Sequence, residues 1–227
     1  FFPDARIERL DADSARSTRN YRRIIDSFSA GTTDILIGTQ IITKGFDFGG
    51  VALVGILNAD NLLLYPDFRS SERAFQLIVQ VGGRAGRRDE QGTVIIQTTQ
   101  PDHPVIRQAL NGDYETMIRT LLAERQTFLY PPFCRLISII FRHRDRNLLQ
   151  RAADTFATQA RRLFGRMLMG PESPPVDRIR NQFRLQFLLK IDRRQAAVKQ
   201  ELSTLFDELH ADPSFRTVEI IPDVDPQ

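Results

Sequence analysis

Cysteine, tryptophan and long apolar runs are scarce or missing in this sequence. The single cysteine, Cys134, excludes an internal disulfide and a cysteine-rich zinc site within the chain, so we expect no metal here. No apolar run approaches the ~20 residues that span a bilayer, and no signal-peptide pattern opens the chain. We therefore expect a protein of a reducing, cytoplasmic compartment without a membrane partner.

Two signatures of nucleotide binding are also missing. The phosphate-loop pattern G-x-x-x-x-G-K-[ST] does not occur, and the glycines at residues 82–86 lack the spacing of a dinucleotide fingerprint. The chain begins with Phe1 and not with Met, which indicates a piece of a longer protein. Any phosphate cradle that serves this chain is therefore expected in another segment.

The composition is that of a globular protein with an uneven charge. Its 227 residues, 41% hydrophobic and 26% charged, are enough for two modest domains. The net charge of +3 conceals 15 basic and 5 acidic residues at 135–199, a local charge of +10, followed by −6 at 200–227. A basic module suggests a polyanionic partner. The alternative is that these arginines only solvate helices and a sheet edge.

The first half of the chain alternates strands and helices. Apolar patterns predict strands at residues 6–10, 35–37, 51–57 and 93–97. Helices are predicted from Asp13 or Ser14 to Gly31, from Pro66 to Gly82, and at residues 103–110 and 114–126. This order predicts an α/β lobe with a parallel sheet and helices on both faces. The Tyr-Pro-Pro-Phe stretch at 130–133 breaks the pattern, which places the domains at residues 1–127 and 128–227.

The second half has the order β-α-β-β-α-β. Strands are predicted at residues 135–141, near 167, at 183–191 and at 215–221. Helices are predicted at residues 147–164 and 193–210. This order fits a smaller α+β domain of the split-βαβ, ferredoxin-like type.

Two polar stretches follow the second predicted strand. Gly38, Thr39 and Gln40 come directly after it, where parallel sheets bind ligands, and a threonine hydroxyl with free backbone N–H groups can hold a nucleic-acid phosphate. The alternative is a threonine that only caps a helix. Next, Gly45 lies two residues before Asp47, whose carboxylate could accept a hydrogen bond from a ribose hydroxyl. An aspartate in an ordinary turn is the alternative.

The stretch at residues 80–87 is more specific. Gly82 and Gly83 are expected to stop the preceding helix and to tolerate a positive φ. Arg84 and Arg87 would then project from a tight loop towards the γ-phosphate of a nucleotide held by another surface. The alternative is a pair of ordinary surface arginines in a turn.

The basic second half offers contacts of another kind. Its arginines form two clusters, at residues 142–146 and 178–184, at predicted strand ends or loops from which they can reach phosphates. Phe183 and Phe187 alternate with polar residues and share one sheet face, which we interpret as core, with a base-stacking platform as the alternative. His103 and His143 lack metal-ligand spacing and are interpreted as structural.

Taken together, these motifs resemble those of superfamily 2 helicases. The stretch at residues 38–47 resembles their motif V, and the stretch at 80–87 resembles motif VI. The intervening PDFRSSER sequence at residues 66–73 is similar to a signature of one family, the PriA family of primosomal replication-restart helicases, also called primosomal protein N′. Residues 130–133, Gly170 with Pro171, and residues 223–226 resemble the same family. The resemblance covers nearly the whole chain.

The resemblance implies a part of an ATP-dependent 3′→5′ DNA helicase that recognises stalled or repaired replication forks and initiates primosome assembly. Residues 1–127 would be most of the second RecA-like motor lobe, and the remainder would be a C-terminal domain likened to ribosomal protein S10. Implied partners are fork and single-stranded DNA, the single-stranded-DNA-binding protein and other primosome proteins. ATP and Mg²⁺ would be bound mainly by a first lobe, and zinc by a cysteine-rich region, neither of which this chain contains.

The resemblance also implies residue roles. Arg87 matches the arginine finger and Arg84 its catalytic neighbour, while Gln80, Gly45 and Asp47 match positions that face the nucleotide. The positions expected to contact DNA, by resemblance or by basic charge, are Gly38, Thr39, Gln40, Lys44, Arg142, Arg144, Arg180 and Arg184. Because the phosphate loop is missing, we expect the isolated chain to be inactive. The alternative function is a non-catalytic module that binds nucleic acid or a protein partner.

Overall fold

The computed structural model describes residues 2–11, 17–39, 50–83, 85, 92–192 and 197–226. The chain divides into two compact units, Phe1–Thr120 and Leu121–Gln227. Each unit has its own strands and helices, so each can be described by itself.

Short parallel strands form the framework of the first unit. β1 (Ile7–Leu10) pairs with β2 (Ile35–Gly38), and β3 (Leu53–Ile56) pairs with β4 (Thr93–Ile96). Among the described residues, these pairs are two separate two-stranded sheets. Parallel neighbours need long crossover connections, which the intervening helices supply. The prediction of an α/β lobe with parallel strands is confirmed.

Five helices belong wholly or partly to this unit in the described ranges: α1 (Thr18–Ser29), α2 (Asp60–Leu63), α3 (Ser70–Gly82), α4 (Pro104–Asn111) and α5 (Tyr114–Thr127). α1 buries Ile24 and Ile25 against Leu10 of β1. α5 begins in the first unit and ends in the second.

Two helix starts differ from their predicted positions. α1 begins after Ser17, whose side chain accepts a hydrogen bond from the Asn20 backbone N–H at 3.4 Å; the predicted caps Asp13 and Ser14 lie outside the described residues. α3 begins at Ser70 and not at Pro66, because the Asp67 carboxylate closes a turn there. That carboxylate accepts from the Arg69 backbone N–H at 2.9 Å, and acidic residues commonly hold such turns.

The second unit is built on an antiparallel sheet with the strand order β6-β8-β5-β9. Its strands are β5 (Arg135–His143), β6 (Leu168–Glu172), β7 (Arg178–Ile179), β8 (Gln182–Ile191) and β9 (Glu219–Val224). The short strand β7, which the sequence pattern does not reveal, pairs with β8 in a tight hairpin. The predicted α+β domain is therefore confirmed as an antiparallel-sheet domain.

Two helices, α6 (Arg146–Phe164) and α7 (Val198–Ala211), pack with this sheet around one hydrophobic core. Phe141, Phe156 and Phe187 are fully buried at its centre, with ring centroids 5.0–5.4 Å apart. Such tilted aromatic contacts add to the stabilisation that burial itself provides. The core thus joins β5, β8 and α6 into one body.

Two element bounds in this unit were predicted wrongly. β9 spans Glu219–Val224 and not residues 215–221, because Phe215 and Val218 are buried from the connection that precedes the strand. Buried apolar residues in a loop imitate a strand pattern. α7 begins at Val198 and not at residue 193, and residues 193–196 lie outside the described ranges.

Candidate nucleotide and nucleic-acid site

Six of the residues predicted to form the site lie outside the described residues. These are Gln40, Lys44, Gly45, Asp47, Arg84 and Arg87. Their roles therefore stay predictions. The structure does describe residues that flank them. These show that the stretch at residues 38–47 begins at the end of β2 and that the stretch at 80–87 begins in the last turn of α3.

Gly38 and Thr39 lie at the carboxyl end of the parallel pair β1–β2. Gly38 is the register partner of Leu10, and the Thr39 backbone N–H donates to the Leu10 carbonyl at 3.4 Å. Both residues are exposed. Because loops at the carboxyl ends of parallel strands are where α/β sheets bind ligands, the position suits the predicted phosphate contact.

Gln80 lies in the last turn of α3 and is exposed. The helix ends at Gly82, as predicted, and the Gly83 backbone N–H donates to the Val79 carbonyl at 2.9 Å. The expected positive φ is not found at this cap, since Gly83 has a φ of −65° and keeps the helical conformation. The last turn of α3 therefore continues through Gly83, which directly precedes Arg84.

Residues 66–73, the family-like stretch, form the start of the helix that carries Gln80. The Asp67 carboxylate makes an ion pair with Arg73 at 2.8 Å, in addition to its bond with the Arg69 backbone. The Arg69 guanidinium lies over the Phe68 ring, 4.4 Å from its centroid. These contacts, all within the stretch itself, set where α3 begins. Because α3 carries Gln80, the stretch helps to position this predicted site residue.

Asp60, which the sequence reasoning missed, ties two strand ends together in the first unit. It follows β3, and its buried carboxylate accepts hydrogen bonds from residues that follow β4: the Thr98 hydroxyl at 2.6 Å, the Thr99 backbone N–H at 2.9 Å and the Thr99 hydroxyl at 3.0 Å. The bond from Thr98 and those from Thr99 hold the pKa of Asp60 below its usual range. The available signal was an aspartate three residues after the apolar strand predicted at residues 51–57.

The fold brings together two arginine clusters that are far apart in sequence. Arg142 on β5 and Arg184 on β8 are direct register partners in the antiparallel sheet. Arg144 is exposed just after β5, and Arg180 is exposed in the β7–β8 turn with a φ of 49°. All four predicted arginines thus belong to the same end of one sheet. Their contact with DNA stays a prediction.

Phe183 and Phe187 lie on the core face of this sheet, as we interpreted from their spacing. Phe187 is fully buried, and Phe183 is half-buried and packs against the same core. The guanidinium groups of Arg178 and Arg146 lie 4.8 and 5.9 Å from the Phe183 ring centroid. The face that carries both rings is therefore core, not an open platform for bases.

The two histidines of interest have structural partners. The His103 ring accepts from the Val105 backbone N–H at 3.3 Å and so caps α4. The His143 ring accepts from the Asp145 backbone N–H at 2.9 Å, in the turn between β5 and α6. In the described ranges, no three His, Cys, Asp or Glu residues are grouped so that they could hold a metal ion. None of the helices described here is long and apolar enough to cross a membrane.

Comparison with known proteins finds one domain match in each half of the chain. The helicase conserved C-terminal domain matches residues 3–89, and the primosomal protein N C-terminal domain matches residues 126–227. The replication restart protein PriA of Treponema pallidum is 40% identical over 229 residues, which cover 99% of this chain and 34% of that protein.

Two further relatives extend the similarity to other bacteria. PriA of Haemophilus influenzae is 36% identical over 230 residues, which cover all of this chain and 31% of that protein. PriA of Bacillus subtilis is 39% identical over 190 residues, which cover 83% of this chain and 24% of that protein. The chain thus spans about a third or less of the length of these relatives. It belongs to the PriA family of replication restart proteins, with a helicase C-terminal domain followed by the family's own C-terminal domain.

Proposed function

We propose that this chain is the second motor lobe and C-terminal domain of an ATP-dependent 3′→5′ DNA helicase. The helicase would recognise stalled or repaired replication forks and initiate primosome assembly in the cytoplasm. The observation that carries the proposal is the similarity to replication restart proteins across both units, with the two domain matches in one order. Fork DNA, single-stranded DNA, the single-stranded-DNA-binding protein and other primosome proteins are the proposed partners.

In this proposal the first unit completes a nucleotide site and does not form one alone. Arg87 acts as the arginine finger and Arg84 assists it, while Gln80, Gly45 and Asp47 face the nucleotide. Gly38, Thr39, Gln40 and Lys44 contact the DNA backbone. The exposure of Gly38 and Thr39 at the carboxyl end of β2, and of Gln80 at the end of α3, supports these roles. ATP and Mg²⁺ would be held mainly by a first lobe, because the chain has no phosphate loop.

The proposal also includes a more detailed architecture for each of the two units. We infer that the parallel pairs of the first unit belong to one RecA-like sheet with helices on both faces, and that the domain boundary lies between residues 127 and 128. For the second unit we infer a split-βαβ, ferredoxin-like domain of the type found in ribosomal protein S10. The strand order β6-β8-β5-β9 supports this, since β5 and β6 run parallel with β8 between them.

The test is complementation of ATP hydrolysis. The pure chain should show no DNA-stimulated ATPase, because half of a transition-state clamp cannot position Mg²⁺ and the γ-phosphate. Mixing it with a separately made first lobe of a PriA relative should restore DNA-stimulated hydrolysis, and a chain with Arg87→Ala should not. Measurable ATPase in the pure chain would contradict the proposal, as would failure of wild-type and variant chains alike to support any hydrolysis.

A second function is favoured by one specific observation, the convergence of the arginine clusters on β5 and β8. The second unit would then act as a nucleic-acid- or partner-binding module without ATP chemistry. DNA binding that persists when ATP hydrolysis cannot be reconstituted would favour this function over the first.

A further inference from the structure

Two arginines face each other across the C-terminal sheet. Arg142 and Arg184 are direct register partners on β5 and β8, so both side chains extend from the same sheet face. It is the face opposite the core, because the adjoining residues Phe141 and Leu185 contribute to the core. Directly opposite residues have Cβ atoms roughly 4.5–5.5 Å apart, where like charges repel. A bound anion between the two guanidinium groups would offset that repulsion.

The hydrogen bonds of this pair are incomplete. The Nε atoms of Arg142 and Arg184 are both buried and lack a hydrogen-bond partner among the described residues. One terminal nitrogen of Arg184 donates to the Val176 carbonyl at 3.0 Å, which orients that guanidinium. The Arg142 guanidinium has no hydrogen bond or ion pair with the described part of the chain. Buried donors normally have partners, so an ordered water or an anion is expected at these two Nε atoms.

The charges around the pair favour an anion as that ligand. Burial and the neighbouring Arg142 charge lower the pKa of Arg184, so the repulsion between the two groups is not relieved within the described chain. Glu219 on β9 is the other register partner of Arg142, yet it is exposed and makes no ion pair with Arg142 in the described ranges. Asp177 is the second acidic residue beside the pair, since its carbonyl accepts from the Arg184 backbone N–H at 2.8 Å. Its carboxylate is also exposed and makes no ion pair with either arginine in the described ranges, so both guanidinium groups can bind an external anion.

The surroundings favour a phosphate of a polymer over a single acidic group. On the same sheet face, the next register pair is Ile140 with Gln186, whose amide donates to the Ser138 hydroxyl at 3.2 Å. These neighbours offer no aromatic ring for a base. Beyond the pair, at the same end of the sheet, Arg144 and Arg180 are exposed and continue the positive charge. A strand with regularly spaced phosphates can contact several arginines at one end of the sheet.

We propose that Arg142 and Arg184 act together as a clamp for one backbone phosphate of single-stranded DNA. The inference deepens the DNA-binding role proposed above and rests on it. Both guanidinium groups donate to oxygens of the same phosphate, and the planar fork of N–H donors on each one matches phosphate geometry. Arg144 and Arg180 contact neighbouring phosphates independently. The clamp differs from two separate contacts because loss of either arginine removes most of its effect.

The test measures the affinity of the full 227-residue chain for labelled oligothymidine by fluorescence anisotropy at several salt concentrations. R142Q and R184Q should each weaken binding about tenfold, and the double variant should be no weaker than either one. All three should lower the slope of log K against log salt by about 0.7, the value for one phosphate on a single strand. R151Q, an exposed arginine on α6, is the matched control and should bind like the wild type.

E219Q supplies a change in the opposite direction. It should tighten binding, because it removes the carboxylate beside Arg142, whereas a purely structural role of the pair predicts no gain. Losses that add in the double variant, with a slope lower by about 1.4, would overturn the clamp in favour of two separate contacts.

Thermal unfolding in inorganic phosphate at constant ionic strength separates the clamp from the wider DNA-binding role. Phosphate should raise the Tm of the wild-type chain and of R151Q but not of R142Q or R184Q. An equal rise in all four would overturn the anion site. A phosphate response that needs both arginines, in a wild-type chain that does not bind oligothymidine, would retain the anion site and reject DNA as its ligand. Displacement of phosphate by an acidic peptide, without DNA binding, would assign the site to a peptide carboxylate.

Discussion

Arg87 is the residue whose proposed role has the largest consequence for turnover. An arginine finger acts on charge that develops in the transition state, so its loss should appear in kcat more than in nucleotide affinity. We expect Arg87→Ala, in the longer protein or in the reconstituted pair of lobes, to lower DNA-stimulated ATP turnover by ~10³–10⁵ while nucleotide still binds. Steady-state ATPase and fluorescent-nucleotide binding measure the two quantities separately.

The matched control for Arg87 is Arg107, whose exposed side chain pairs with Asp102 on the surface of the same unit. Arg107→Ala should leave turnover unchanged, because exposed ion pairs contribute little. Arg84→Ala should reduce both turnover and nucleotide affinity. A decrease of less than about tenfold for Arg87→Ala would identify a structural arginine instead of a finger.

Asp60 is a second residue with a consequence of its own, this time for stability. Its folded-state pKa is lowered by the hydrogen bonds from Thr98 and Thr99, so the ionised form stabilises the fold. That stabilisation is complete above the unfolded-state pKa of about 3.9 and is lost as the pH falls through the lower folded-state pKa. Asp60→Asn should therefore lower the Tm at pH 7.

The pH series provides the contrast for this prediction. The difference in Tm between wild type and Asp60→Asn should shrink as the pH falls below about 4, measured by circular dichroism. Asp102→Asn is the control, because the Asp102 side chain is exposed and pairs only on the surface. A difference between wild type and Asp60→Asn that stays constant down to pH 2 would show that the charge of Asp60 contributes nothing.

At the scale of elements, β8 carries a core residue on one face and an arginine proposed to bind DNA on the other. Its core face carries the fully buried Phe187, and its other face carries Arg184. Phe187→Ala should destabilise the second unit by ~3–5 kcal/mol, as measured by urea unfolding, because it leaves a cavity among Phe141, Phe156 and the surrounding core.

A substitution of Phe183, near the start of the same strand, provides the comparison with Phe187→Ala. Phe183 is half-buried beneath two arginines, so Phe183→Leu should preserve the fold and leave the affinity for single-stranded DNA unchanged. Loss of DNA binding in a folded Phe183→Leu chain would instead support base stacking at this ring.

The ends of the helices and strands show which structural features local sequence patterns predict and which they do not. The end of α3 at Gly82 follows from two adjacent glycines, and its burial of Ala74 and Ile78 follows from their spacing. Its start at Ser70 depends on hydrogen bonds of the Asp67 side chain, which no periodicity encodes. β7 has only two residues and exists because β8 offers it an edge, so no pattern of its own could reveal it.

For the whole molecule, the prediction concerns charge. The local charge of +10 at residues 135–199 should allow the chain to bind single-stranded DNA weakly and without base preference. If the chain neutralises about four phosphates, one of them shared by Arg142 and Arg184, the slope of log K against log salt should be near −3. Anisotropy titrations with oligothymidine and a mixed-sequence strand of equal length measure slope and preference together. An affinity that does not change with salt would contradict this electrostatic account.

The sequence by itself determined the family and the order of the longer elements in both units, and it supplies the predicted roles of the motif residues. These depend on local periodicity, on turn residues and on motif spacing, all of which are properties of the linear chain. Only the tertiary structure decided which distant residues meet. Strand register placed Arg142 opposite Arg184, and the pairing of β3 with β4 brought Thr98 and Thr99 to Asp60. Register is set by how whole strands pack against the core. For this reason no local sequence pattern could predict either contact.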